Sequence, residues 1–472
     1  MKAYFLGVAG AGVSALASVL KDQGAEVSGS DEGVFAPVST YLDRIGIPYR
    51  TQFDADAMPD GIDVAIVGTT AKITPETNPE YAELKRRGVP CHTFAAYLGA
   101  LTAERENLIV AGSFGKSSLT ALIAHILRHA GREPGWFIGA IPLDLPATGA
   151  WGREPLFVME GDEYVVSLAD RRSKFELYTP AHTLISSIVH DHVNMFPTMA
   201  LYEACFARLI AKTPPGGLLV CARGHEPLRR LTEGRAVVWY GADDACEGYG
   251  ARAIEIGEIT RFILTTPQGG AIPLQTGLLG RHNIENIVGA SAFLLERGLV
   301  TPEQLQAAVA VFRGVARRLD KKTASSAIPA YEGFGSSLEK ARSAIEAIQL
   351  HFPDRPQVVV FEPHTFSWRN REALSWYDSV FEGVSRVILL PPPTHGAKGH
   401  DQLSQADIVA RLESAGVAVT PVSGGAEVLA RLAGQLEGGE VVLLLSSGPL
   451  DGLADTLPRV LDDRFGAGAA AA

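Results

Sequence analysis

Cysteine is scarce in this chain: four occur in 472 residues, Cys91, Cys205, Cys221 and Cys246, and no two form a Cys-x-x-Cys pair. A chain of this length with 46% hydrophobic residues fills several cores unaided. A disulfide framework and a zinc site are therefore excluded as organising devices, and reduced thiols in the cytoplasm are expected. Positive charge is also in deficit, since 42 Lys and Arg face 53 Asp and Glu for a net charge of −11. That balance opposes nonspecific binding to nucleic acid. No apolar run reaches the ~18 residues that cross a bilayer, and residues 1–20 hold a glycine-rich turn in place of a basic n-region with a cleavage site. A soluble cytoplasmic protein is expected, with neither nucleic acid nor membrane as partner; a homo-oligomer is allowed. No repeat of solenoid length is present. The small-residue tail from Gly466 to Ala472 is expected to fray.

Glycine, by contrast, is plentiful and placed with purpose. Gly112-Ser113-Phe114-Gly115-Lys116-Ser117-Ser118 follows the apolar run Leu108 to Ala111 and precedes the helical pattern Leu119 to Ala130. This reads as strand, phosphate loop, helix. Glycines let backbone N–H groups wrap a phosphate, the helix N-terminus adds partial positive charge, Lys116 supplies a full one, and Ser117 offers a hydroxyl to Mg²⁺. A nucleoside triphosphate is the expected ligand.

Three α/β segments are predicted. Strand Lys2 to Val8, a turn at Gly10 and Gly12, helix Val13 to Gln23 and strand Glu26 to Ser30 form a Rossmann-like unit ending at Asp31. Gly7-x-x-Gly10-x-Gly12 is an altered dinucleotide fingerprint, and a simple tight turn fits it as well. Strands Phe157 to Glu160, Thr183 to Ile188 and Gly217 to Cys221 continue the second segment as a mostly parallel sheet, with an appended hairpin over Ala251 to Leu274. A third pattern holds helix Leu338 to His351, strand Gln357 to Phe361, helix Arg371 to Phe381 and strands Arg386 to Leu390 and Glu440 to Leu445. The expected class is α/β, with a Rossmann-like domain at 1–105, a central P-loop ATPase-type domain at 106–317 and a C-terminal Rossmann-like domain at 318–472.

In order and wording these motifs resemble the Mur ligase family, ATP-dependent amide-forming enzymes of peptidoglycan assembly, over nearly the whole chain. Gly7 to Ser14 with Gly29-Ser30-Asp31 is similar to the UDP-binding region of the muramate branch, which implies that Gly10, Ala11, Gly12 and Asp31 bind a UDP-N-acetylmuramate-like sugar nucleotide. The resemblance also accounts for the short phosphate loop and implies ATP and Mg²⁺ as cofactors. Gly112, Ser113, Phe114, Gly115, Lys116, Ser117 and Ser118 would cradle the phosphates, while Ser117, Glu160 and His192 would face the metal. Leu279 to Asn286 resembles the adenine-binding stretch, which implies roles for His282, Asn283 and Asn286, and Arg318 would meet the γ-phosphate. Lys116, Glu160, His192 and Arg318 are thus the expected catalytic set. Read by residue type alone, Asn283 is equally a helix cap and His190-Asp191-His192 a surface cluster.

Within the branch, Trp136 to Leu143, Phe157 to Tyr164 (with Glu160, Asp162 and Glu163) and Asp170 to Phe175 resemble tripeptide-recycling ligases. That implies joining UDP-N-acetylmuramate to L-alanyl-γ-D-glutamyl-diaminopimelate, with Asp162, Glu163, Ser446 and Ser447 contacting substrate and His395, Lys398 and His400 greeting an acidic peptide. Glu362 to Ser367 resembles instead the L-alanine-adding ligases, the alternative reading. Two stretches depart from the family pattern. Ser187 and Val189 replace an Asn and an acidic residue, and Tyr331 to Leu338 lacks an Asp and two His, with Gly333, Ser336 and Ser337 in their place. An altered acceptor under the same chemistry, a noncatalytic ATP-dependent binding module, and a partner subunit supplying the missing groups all remain open at this point.

Overall fold

The structure is a computed structural model that describes residues 1–70, 73–167, 169–244, 247–393 and 401–466. Cys246, the loop residues His395, Lys398 and His400, and the tail beyond Gly466 lie outside the described residues. The chain divides into two compact units, one of residues 1–254, 261–276 and 282–315, the other of 255–260, 277–281 and 316–472.

Two parallel sheets dominate the first unit. One runs in the order Tyr49–Arg50, Glu26–Ser30, Lys2–Leu6, Val64–Val67, Cys91–Thr93. Lys2–Leu6 lies central, and its chain turns through Gly7, at φ +79°, into the helix Ala11–Asp22, whose apolar face from Val13 to Leu20 is buried. The other runs Val238–Tyr240, Leu219–Ala222, His182–Ile185, Glu106–Ala111, Leu156–Glu160, Gly135–Phe137, Gly149–Ala150, all parallel except the last pair. Its inner strands are apolar on both faces, as a parallel sheet covered by helices requires. A buried hydroxyl chain joins the two sheets' layers: Ser18 Oγ meets Tyr41 OH, which lies 2.7 Å from Thr148 Oγ1. Each of the stretches 1–105 and 106–317 carries its own parallel sheet, and both sheets fall within the first compact unit. The expected hairpin becomes a three-stranded sheet of Gly250–Glu255, Thr260–Thr265 and Ala271–Thr276.

In the second unit six strands run Arg318–Lys321, Ala330–Gly333, Val441–Leu445, Gln357–Phe361, Arg386–Leu389, Val419–Pro421, parallel apart from the first. Arg371 to Phe381, expected as an α-helix, forms a 3₁₀ run over Arg371–Asp378. Asn370 caps its start through Glu372 N–H, and the buried Tyr377 donates its hydroxyl to Trp368 O at 2.8 Å, which ties the run to the preceding turn. No helix among the described residues is long and apolar enough to cross a membrane.

Candidate active site

The phosphate loop leaves the carboxyl end of strand Glu106–Ala111, whose neighbours in the sheet end at Glu160 on one side and Ile185 on the other. Ligands of open α/β sheets settle at such strand ends. Gly112 takes φ +134° and Gly115 φ +82°, the latter as the N-cap of helix Lys116–His129. A side chain at Gly112 would strike Ser186 Oγ at 2.2 Å, and one at Gly115 would press Asn286 Oδ1 at 2.8 Å. Both positions therefore demand glycine for conformation and for space.

The loop is held by its neighbour strand's extension. Phe114 N–H donates to Ser187 Oγ at 3.0 Å, Ser113 N–H donates to Ser187 O at 3.1 Å, and Ser186 Oγ donates to Phe114 O. Ser113 Oγ is 2.8 Å from Tyr202 OH and donates to Val189 O. Ser187, a departure from the family pattern, thus acts as a clamp on the loop. Phe114 itself is exposed and Ser118 half-buried.

Lys116 turns inward. Its ammonium donates to Gly112 O at 2.7 Å and forms a 2.8 Å ion pair with the fully buried Glu163. Burial pulls its pKa down, but Glu163, then Asp162 and Glu160, outweigh that and hold it above the usual lysine value. Ser117 Oγ donates to Glu160 Oε1 at 2.7 Å, and Glu160 Oε2 accepts the Gly139 N–H at 2.6 Å. His192 Nε2 lies 3.3 Å from Glu163 Oε1, and its backbone is left-handed, at φ +54°, a strained setting for a non-glycine residue. The hydrogen bond to Glu163 raises the imidazole's pKa against the cost of its partial burial. His190 bonds Phe196 O instead, at 2.7 Å. No cluster of three or more His, Cys, Asp or Glu side chains suited to a metal occurs among the described residues.

A second cation stands beside this group. Lys174 Nζ is 2.6 Å from Asp162 Oδ2 and sits over the rings of Tyr164 and Phe94, at 5.2 and 5.6 Å from their centroids. Burial would raise the Asp162 pKa, yet Lys174 and then Lys116 bring it below the usual aspartate value. Phe94 in turn lies against Gly12, where an added Cβ would meet its ring at 2.6 Å. One line of contacts therefore runs from the glycine turn of the first sheet, through Phe94 and Lys174, to Asp162 beside the phosphate loop.

At that glycine turn, Gly10 and Ala11 are exposed at the start of their helix. Asp31 accepts the N–H groups of Ala9 at 3.0 Å and Glu32 at 2.8 Å; burial raises its pKa despite them. Asn283 and Asn286 are buried near the start of helix Arg281–Glu296, with Asn286 Nδ2 donating to Asn283 Oδ1 at 3.2 Å, whereas His282 is exposed.

Thus Lys116, Ser117, Glu160, Asp162, Glu163, His192 and Asn286 gather around one loop. Arg318, exposed, and Ser446 and Ser447 belong to the second unit. Ser446 is fully buried; its hydroxyl donates to Glu362 Oε2 at 2.6 Å and accepts Gly448 N–H at 2.8 Å, so any substrate contact would have to displace these partners. Ser447 Oγ is buried without a hydrogen-bond partner among the described residues. Sequence reasoning assigned no role to Gly139, Ser186, Tyr202 or Lys174. Gly139 and Lys174 stood inside quoted motifs, while Ser186 and Tyr202 carry no local signal.

A lysine-bearing glycine loop at the carboxyl end of a central parallel strand, with a hydroxyl–carboxylate pair beside it, defines a phosphate-handling α/β protein. Comparison with known proteins narrows the class. A family model described as Mur ligase family, catalytic domain, matches residues 2–106, and one described as Mur ligase middle domain matches 110–294. The chain is 29% identical over 478 residues to the UDP-N-acetylmuramate–L-alanine ligase of Xanthomonas campestris pv. campestris, covering 98% of this chain and 96% of that one. The structure is similar to that of UDP-N-acetylmuramate-alanine ligase MurC from Thermotoga maritima, with TM-score 0.77, 22% identity and coverage of 98% and 99%. It is similar too to a murein peptide ligase from Psychrobacter arcticus, with TM-score 0.67, 19% identity and 98% of each chain covered. The chain belongs to the Mur ligase family and is an ATP-dependent, ADP-forming carboxylate–amine ligase.

Proposed function

We propose that the protein joins the carboxylate of a UDP-N-acetylmuramate-like nucleotide to the amine of L-alanine in cytoplasmic peptidoglycan synthesis. The observation that carries this reading is the joint placement, in one compact unit, of the Lys116 phosphate loop and the Gly10–Gly12 turn, linked through Phe94 and Lys174. In the reaction the substrate carboxylate attacks the γ-phosphorus of ATP, ADP leaves, and the amine then displaces phosphate from the acyl phosphate. The main demand is to gather negative charge and hold reactants in line. Lys116 would leave Glu163 for the β- and γ-phosphates, the loop N–H groups would bind the phosphate oxygens, and Asn283 and Asn286 would face the base with His282.

Ser117 and Glu160 present two hard oxygens 2.7 Å apart. That suits Mg²⁺, which takes one or two protein oxygens and fills its remaining positions with phosphate oxygens and water. Bound there, the ion would neutralise developing phosphate charge. Gly139 N–H fixes the Glu160 carboxylate for this purpose, and His192 stands on the neighbouring Glu163 as a further contact.

L-Alanine is favoured by full-length likeness to ligases of that name. A second reading, the tripeptide L-alanyl-γ-D-glutamyl-diaminopimelate, is supported by the motifs at Trp136 to Leu143 and Asp170 to Phe175. Incubation with ATP, Mg²⁺, UDP-N-acetylmuramate and each amine, followed by phosphate release and product mass, decides between them. Phosphate and an alanyl product only with L-alanine support the first reading, and turnover only with the tripeptide supports the second. Nucleotide binding without turnover on either amine overturns both.

A further inference from the structure

We propose that Lys174 is the positioning cation for the reacting carboxylate of the sugar-nucleotide substrate. This inference rests on the proposed function and deepens it.

The residue's setting is unusual for a lysine. Its side chain is 11% exposed, in a class of residue that is almost never so deeply enclosed unless paired. The pairing is with Asp162 at 2.6 Å, and this is one donor of three on the ammonium. The ammonium also lies 5.6 and 5.2 Å from the ring centroids of Phe94 and Tyr164, which attract a cation but accept no strong hydrogen bond. Among the described residues Asp162 is the hydrogen-bond acceptor for this ammonium, and a carboxylate that reached it would gain a charge-assisted bond.

Its fixation is equally specific. At the start of the short turn Lys174–Leu177, Ser173 N–H donates to Glu176 Oε1 and Glu176 N–H to Ser173 O, both at 2.9 Å, and Lys174 N–H donates to Tyr164 O at 3.0 Å. The backbone is thus pinned on both sides of the side chain. Phe94, beside the ammonium, also packs against Gly12 in the turn proposed to bind the sugar nucleotide. Asp162 lies two residues beyond Glu160, within the electrostatic reach of Lys116. The ammonium is thus linked through Phe94 to the turn proposed to bind the sugar nucleotide and through Asp162 to the group beside the phosphate loop, the two sites that the reacting carboxylate has to bridge. Lys174 would form no covalent bond and transfer no proton; it would orient one carboxylate oxygen and leave the other to attack.

The test separates carboxylate recognition from a merely structural role. Equilibrium binding is measured for UDP-N-acetylmuramate and for UDP-N-acetylglucosamine, which lacks the carboxylate, on the parent, Lys174→Gln and Lys174→Arg. In the parent the carboxylate-bearing nucleotide is expected to bind more tightly. In Lys174→Gln that preference is expected to shrink by roughly tenfold, with UDP-N-acetylglucosamine affinity and the KM for ATP within about twofold of the parent, and Lys174→Arg should recover part of it. A Lys174→Gln protein that keeps the full preference overturns the inference, as does equal weakening of both nucleotides. Should that variant fail to fold because Asp162 loses its partner, the neutral pair Lys174→Met with Asp162→Asn carries the same measurement. A parent that binds neither nucleotide overturns the proposed function itself, which distinguishes the two failures.

Discussion

Lys116 and Glu163 form a 2.8 Å ion pair inside the phosphate loop, and the carboxylate is fully buried. Breaking a buried pair from one side leaves the other charge unsolvated, at a cost of about 3–5 kcal/mol. Lys116→Ala is therefore expected to abolish turnover and also to lower stability by about 3 kcal/mol, the low end because His192 still faces Glu163 at 3.3 Å. Adding Glu163→Gln removes the orphaned charge. The double variant should regain most of the stability, read from urea midpoints, while remaining inactive. A Lys116→Ala protein as stable as the parent would show that the pair does not hold the loop, and normal turnover would remove Lys116 from the reaction.

Glu160 makes a different prediction because its two oxygens are already divided, one taking Ser117 Oγ and the other Gly139 N–H. Glu160→Gln keeps size, an acceptor oxygen for Gly139 N–H and an amide N–H that can donate to Ser117 Oγ, but removes the charge that a divalent ion requires. The Mg²⁺ concentration giving half-maximal turnover should rise by roughly tenfold or more, with sugar-nucleotide binding unchanged. An unaltered Mg²⁺ requirement would place the ion elsewhere.

How much of this was legible in the sequence depended on how local the signal was. The phosphate loop, its strand and its helix were readable because glycine, lysine and an apolar run fall within twenty residues. The order of the parallel strands was not, since Glu106–Ala111 pairs with strands that begin fifty and seventy-six residues later. For the same reason Ser187 looked like a loss from a motif, whereas folding makes it the clamp on Phe114. Ser446 shows the converse. A serine in a polar turn reads as solvent-facing, yet Glu362, eighty-four residues earlier in the chain, draws it wholly inside. The apolar spacing over Arg371–Asp378 suits an α-helix as well as the 3₁₀ run that forms, in which Tyr377 is tied to Trp368 O.

Asp320 supplies a pH prediction whose sign is set by burial. It is 2% exposed, accepts Arg317 N–H at 2.6 Å and pairs with Lys322 at 3.3 Å, while Lys322 also holds the buried Glu332 at 3.0 Å. Desolvation dominates, Lys322 opposes it, Glu332 adds to it, and the Asp320 pKa is pushed up to about 6 from 3.8. Between those values the folded protein binds more protons at this site than the unfolded chain does. Stability contributed by this residue therefore falls as pH rises from about 4 to about 6, then levels off. The full span amounts to about 3 kcal/mol, taken as an order of magnitude from 1.36 kcal/mol per unit. Asp320→Asn removes the titration and keeps an acceptor for Arg317 N–H. Its stability relative to the parent, from urea unfolding at a series of pH values, should climb across that window and stay constant above it. A difference that is flat from pH 4 to 7 would mean that Lys322 stabilises the Asp320 carboxylate fully, and the opposite slope would mean that the ion pair outweighs burial.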